Sequence, residues 1–310
     1  MNMETTMSSL SETARRHILF VSLSVVSVII FWKPLAGLLT YSLDHESASH
    51  ILLIPLIALY LLYTERKRIF QFTELSLISG SVVILIGIAF YWLADPRWAS
   101  AEGNDGLVRT TLSFVVIWIG AFLLCYGSRA ARTAAFPLLF LLLMVPLPEA
   151  VLEKSIHLLQ QGSTEIAYLL FRLVQVPVFR QGFFLSLPSV TIEVAKECSG
   201  IRSSMALFIT CLLAAHLFLR TPWKMLVFVL LAFPLAIIKN GIRITTLTLL
   251  AIYVNPSFLT GNLHHDGGFV FFLLALAIIA PVLLLLQKSE RTSQSLKPII
   301  PPESRVAPRP

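Results

Sequence analysis

Three short clusters in this 310-residue chain join residue types that do chemistry together. They are Glu197-Cys198-Ser199-Gly200-Ile201-Arg202-Ser203-Ser204, Lys239-Asn240-Gly241-Ile242-Arg243 and His264-His265-Asp266-Gly267-Gly268. A thiol, a guanidinium and an imidazole suit nucleophilic acyl transfer. The thiolate attacks a carbonyl, and a helix N-terminus and nearby cations favour its ionised form. The imidazole takes and returns the proton near neutral pH. The permanently charged guanidinium stabilises the oxyanion of the tetrahedral intermediate. Cys198, Arg243 and His264 are therefore the candidate catalytic residues.

Each of these also has a plainer reading. Cys198, like Cys125 and Cys211, fits as a small apolar filler. Arg243 can snorkel or hold a lipid headgroup. Arg202 can pair with Glu197, and His264 or His265 in a Gly-rich turn can simply be solvated. His50 is either interfacial or part of the same cavity. The cysteines form no CxxC pair and no zinc spacing, and there is no P-loop, HExxH, GxGxxG or serine elbow. No metal and no cofactor is expected.

The elements that must position these residues are membrane helices. The chain is 56% hydrophobic and 13% charged, about half the usual ~25% charge of soluble domains. Its mean hydropathy is +0.80. The apolar residues come in blocks of about 20, which excludes a soluble domain, a disordered chain and a coiled coil. A membrane barrel would instead alternate over about ten residues. The expected fold class is all-α: a polytopic transmembrane helical bundle of about eight spans. The spans are His17–Leu39, Ala48–Tyr63, Leu75–Ala94, Leu107–Tyr126, Thr133–Val145, Ile201–Leu219, Met225–Val254 and Phe269–Gln287. The first is read as retained rather than as a cleaved signal, because its apolar core is too long. The seventh is over-long and carries Pro234 and the polar run Lys239–Arg243. An amphipathic interfacial region, Glu149–Val174, lies between spans five and six, and a short extended segment, Phe183–Val194, follows it.

Residues 1–16 form a cytoplasmic N-terminal segment, 17–287 the transmembrane domain and 288–310 a Pro-rich disordered cytoplasmic tail. The net charge of +7 does not point to nucleic acid, because Lys and Arg cluster in short loops between apolar blocks. Arg15-Arg16, Arg66-Lys67-Arg68, Arg129/Arg132, Arg220/Lys224 and Lys288/Arg291 would face the cytoplasm. The lipid bilayer is the implied partner. From Lys224 to Arg243 is 19 residues, or ~28 Å of helix, about one hydrocarbon thickness. Arg243 then reaches the outer interface, where Cys198 opens the sixth span and His264 precedes the eighth.

The three clusters, in order, resemble the signature blocks of the exosortase/archaeosortase family. The match extends to Pro146-Leu147-Pro148, Leu158-Leu159-Gln160, the turn from Val176-Pro177-Val178 to Gly182, and Ser49-His50-Ile51 with Leu53-Ile54-Pro55. The Tyr before and the Gly after that early His are absent here. The resemblance covers about residues 40–287. It implies a membrane-embedded cysteine transpeptidase of bacterial type in the cytoplasmic (inner) membrane, its site on the extracytoplasmic face. Its substrates would be secreted proteins with a C-terminal tag of short motif, membrane span and basic cluster; the motif is Pro-Glu-Pro in many bacterial members, whose tagged proteins go with exopolysaccharide. An amine or glycan is the implied acceptor. The resemblance places the catalytic Cys, Arg and His at Cys198, Arg243 and His264, with His265 the competitor for the last role. A transporter or export component for exopolysaccharide or lipid-linked sugar also fits intramembrane Arg243 and a broken seventh helix, though no paired repeats are visible. A non-enzymatic scaffold of a secretion complex is a third reading.

Overall fold

The computed structural model describes residues 2–92, 104–259 and 268–295. The chain forms two compact units, Met1–Ile156 and His157–Pro310.

The first unit runs α1 (Asn2–Ile30), α2 (Trp32–Asp44), α3 (Leu53–Thr64), α4 (Arg66–Ile69), α5 (Leu77–Trp92), α6 (Asp105–Thr133) and α7 (Ala135–Phe140). A 3-10 turn over Leu141–Met144 ends the run. Helices α5 and α6 are antiparallel and approach closely because small residues sit at the crossing. A Cβ on Gly80 would fall 2.4 Å from the Leu124 Cα, and Gly120 in turn faces Ile84. Helix α6 breaks at Gly127, whose φ of 84° is open to glycine at little cost. Phe20, Phe70, Phe122 and Tyr126 form an aromatic core. The His17 ring nitrogen Nδ1 bonds the Tyr126 hydroxyl at 2.8 Å beside this core. Cys125 is buried there, as a filler would be. His50 lies against the backbone of Ser47 and Leu143.

Helix α8 (Glu149–Leu173) carries the chain across the boundary between the units. The second unit continues with a three-stranded antiparallel meander, β1 (Phe179–Gln181), β2 (Phe184–Ser186) and β3 (Thr191–Glu193). The single extended segment expected at Phe183–Val194 is thus the last two strands of a sheet. Leu185 and Ile192, paired across β2 and β3, pack with Ala167 and Phe171 of α8. A Lys196–Ser199 3-10 turn follows, then α9 (Ile201–Phe218), α10 (Pro222–Leu230), α11 (Ala232–Tyr253) and α12 (Gly268–Ser295). Ala215, Ala232, Ala236 and Ala275 let these helices close around Leu207, Cys211 and Phe228.

Among the described residues, six helices are long and apolar enough to cross a membrane, or seven if Ala135–Met144 and Glu149–Leu173 count as one broken span. Helix α5, at 16 residues, is a shorter apolar helix. Each expected span has a helix behind it, but the fifth, Thr133–Val145, reaches spanning length only together with α8. The break in the seventh falls at Leu231, three residues before Pro234. Proline clashes with the carbonyl four residues back, so the helix yields just ahead of it. The polar run Lys239–Arg243 stays helical within α11. Helix α12 continues past Gln287 to Ser295.

Candidate active site

The second unit brings the first two clusters together. Cys198 sits in the 3-10 turn just ahead of α9, and Gly200 supplies the left-handed junction (φ 73°) between them. Gly200 leaves no room for a side chain: its Cβ would meet Asn240 Oδ1 at 2.8 Å. That crowding reports how closely α11 presses on the cysteine turn. Asn240 is 1% exposed, and its Nδ2 is within bonding distance of three acceptors. They are the Cys198 carbonyl at 2.9 Å, the Ser199 carbonyl at 3.1 Å and Ser163 Oγ of α8 at 3.0 Å. One amide thereby ties cysteine turn, α8 and α11 together. Ser203 and Ser204 hydroxyls donate back to the Gly200 carbonyl at 3.1 and 2.8 Å and hold the first turn of α9.

Arg243 lies one turn beyond Lys239 on α11, hence on the same helix face. Cys198 and Arg243 line one cavity of about 220 Å³ together with Ile192, Glu193 and Val194 and with Ile244, Leu247 and Thr248 of α11. The guanidinium is in electrostatic range of the Cys198 thiol, as are Glu193 and Glu197. Both Cys198 and Arg243 are partly accessible, whereas Cys211 is buried among aliphatic side chains.

Lys239 was legible only as one letter of a polar run. It is 1% exposed, its Nζ donates to Ser203 Oγ, and Arg243 acts on it electrostatically. Among the described residues no carboxylate pairs with it. A buried cation held by a hydroxyl is costly and marks a functional region rather than a stabilising contact. The other component that the sequence did not tie to the site is β3, whose Ile192 and Glu193 line the cavity. His264, His265 and Asp266 lie outside the described residues.

Chemically, this arrangement offers a thiol nucleophile, a fixed cation beside it and an enclosed space for a reacting carbonyl. Among the described residues no group of three or more His, Cys, Asp or Glu side chains is placed to hold a metal ion. The sequence model of one protein family, described as transmembrane exosortase, matches residues 41–281. No curated protein and no solved structure matches.

Proposed function

The chain belongs to the transmembrane exosortase family, and we infer that it is a membrane-embedded cysteine protease and transpeptidase acting on tagged secreted proteins. The observation that carries this reading is the cavity shared by Cys198 and Arg243. The Cys198 thiolate attacks the scissile carbonyl, and Arg243 bears the negative charge that develops on its oxygen. The C–N bond then breaks, and the leaving amine takes a proton from the imidazolium of His264. The substrate's acyl group remains as a thioester on Cys198. An amine, a glycan hydroxyl or water attacks that thioester, gives its proton to the imidazole and releases the thiolate.

A thiol and a cation lining one cavity suit acyl transfer, which favours a peptide substrate over the export reading. A substrate with its own span diffuses in two dimensions and presents its scissile bond at fixed depth, so a nucleophile held at one depth suffices. In this reading the protein is in the bacterial inner membrane with the cavity facing outward.

The test is a secreted reporter ending in a Pro-Glu-Pro motif, an apolar span and an arginine cluster, co-expressed with the full chain. Wild type should release the tail, whereas Cys198→Ala should leave the reporter full-length and membrane-held. Complete processing by the Cys198→Ala variant would end this reading.

A further inference from the structure

We propose that the outer edge of β3 is the substrate-binding strand of this site. An extended segment of the substrate, leading to the scissile bond, pairs with it as a fourth strand and delivers its carbonyl to Cys198. This deepens the cysteine-transpeptidase reading and rests on it.

Three observations on the sheet carry the proposal. The sheet order is β1-β2-β3, so among the described residues β3 pairs with a strand on one side only. Hydrogen bonding identifies which groups face that open side. Val194 donates its N–H to the Phe183 carbonyl at 3.0 Å, and Leu187 donates to the Val190 carbonyl at 2.9 Å. In an antiparallel ladder alternate residues point their N–H and C=O the same way, so Val190, Ile192 and the Val194 N–H face β2, while the Val194 carbonyl accepts from Gln160 Nε2 of α8 at 2.9 Å. Thr191 and Glu193 therefore turn their backbone groups outward.

The cavity supplies the third observation. Its lining includes Ile192 and Glu193 of β3 and Val194 just past its end, three consecutive residues. Successive side chains on a strand point to opposite faces. A cavity resting on one face of the sheet would touch every second residue, and one that touches all three runs along the edge. The β2 side is occupied by pairing, so the edge in contact is the outer one. The strand then leads through Val194 and Ala195 straight into the turn bearing Cys198.

The chemistry that recognises such an edge is an extended peptide backbone. Main-chain bonds give affinity without reading sequence, and pockets on alternate side chains give choice. Ile244, Leu247 and Thr248, which line the same cavity, are placed to meet the side chains of such a segment. The edge is short and carries the charged Glu193, features that discourage indiscriminate strand pairing.

The experiment uses the purified full chain and two alkylating probes: acetyl-Val-Ser-Val-Ala chloromethyl ketone and iodoacetamide. The peptidyl probe is also made with a single N-methyl group at successive backbone nitrogens. Strand pairing predicts that Cys198 alkylation falls about three- to tenfold for N-methylation at alternate positions and little at those between. Glu193→Pro removes an outward N–H and leaves the β2 ladder intact. It should slow the peptidyl probe against Glu193→Ala while iodoacetamide reacts at equal rates in both. Equal peptidyl rates without alternation, with iodoacetamide still selecting Cys198 over Cys125 and Cys211, would overturn the edge proposal alone and leave the edge to a second copy of the chain. If iodoacetamide does not select Cys198, the cysteine reading itself falls. The N-methyl series decides the matter even if Glu193→Pro does not fold.

Discussion

Asn240 concentrates more of the site's geometry than any other single residue. Its side-chain nitrogen reaches the carbonyls of Cys198 and Ser199 and the hydroxyl of Ser163, all in a buried setting. Removing a donor from buried acceptors costs their desolvation, about 1–3 kcal/mol. Asn240→Ala should therefore lower the thermal midpoint of the detergent-solubilised chain and change the alkylation rate of Cys198. An unchanged midpoint and rate would show that the amide neither holds nor aims the cysteine turn. Residue types and spacing drew Cys198 and Arg243 out of the sequence, because polar residues at membrane depth stand out against an apolar background, whereas Asn240 showed only within a polar run. Lys239 showed only in the same run, and its burial against Ser203 depends on how α9 and α11 meet, which no local pattern encodes.

The pairing of α8 with α11 rests on two glycines. Ile237 of α11 lies where a Cβ on Gly162 would be, at 2.8 Å, and Ile166 of α8 lies 2.4 Å from the Cβ position of Gly241. The contacts keep the same order along both helices, so the second half of α8 runs alongside α11 in the same sense. Gly241→Ala should destabilise the chain by about 1–3 kcal/mol through overpacking, read as a lower thermal midpoint in detergent. A midpoint equal to wild type would mean that Ile166 moves aside freely. Apolar blocks of about 20 residues made most helices legible, and helical spacing gave α8, whose Leu152, Leu159, Gln160, Ser163, Ala167 and Phe171 are buried along one face. The meander was less legible, because three-residue strands carry too little alternation to be told from one extended stretch. Small residues such as Gly162 and Gly241 announce close approach but not the partner.

At the scale of the whole chain, large apolar side chains are exposed in a way water would penalise. Ile78 is 84% exposed and Trp92 77%, which is what lipid-facing helices show. The loop around Asp44 and Glu46 holds no Lys or Arg while Arg66-Lys67-Arg68 is basic, which predicts opposite sides of the membrane for the two ends of α3. In a chain lacking its native cysteines, Ser47→Cys and Ser189→Cys should react with a membrane-impermeant maleimide from outside intact spheroplasts. Lys67→Cys should react only after permeabilisation. The reverse pattern would place the cavity on the cytoplasmic side.

The parallel register of α8 and α11 also bears on biosynthesis. Gly162 leaves the ribosome about 75 residues before the isoleucine that fills its notch. At ~5–20 residues per second, that is a wait on the order of 4–15 s. During that interval Ser163 lacks its later partner, because Asn240 has not been translated. The bonds from Asn240 to the cysteine turn likewise form only after α11 is made, so that turn acquires its final hold late in translation.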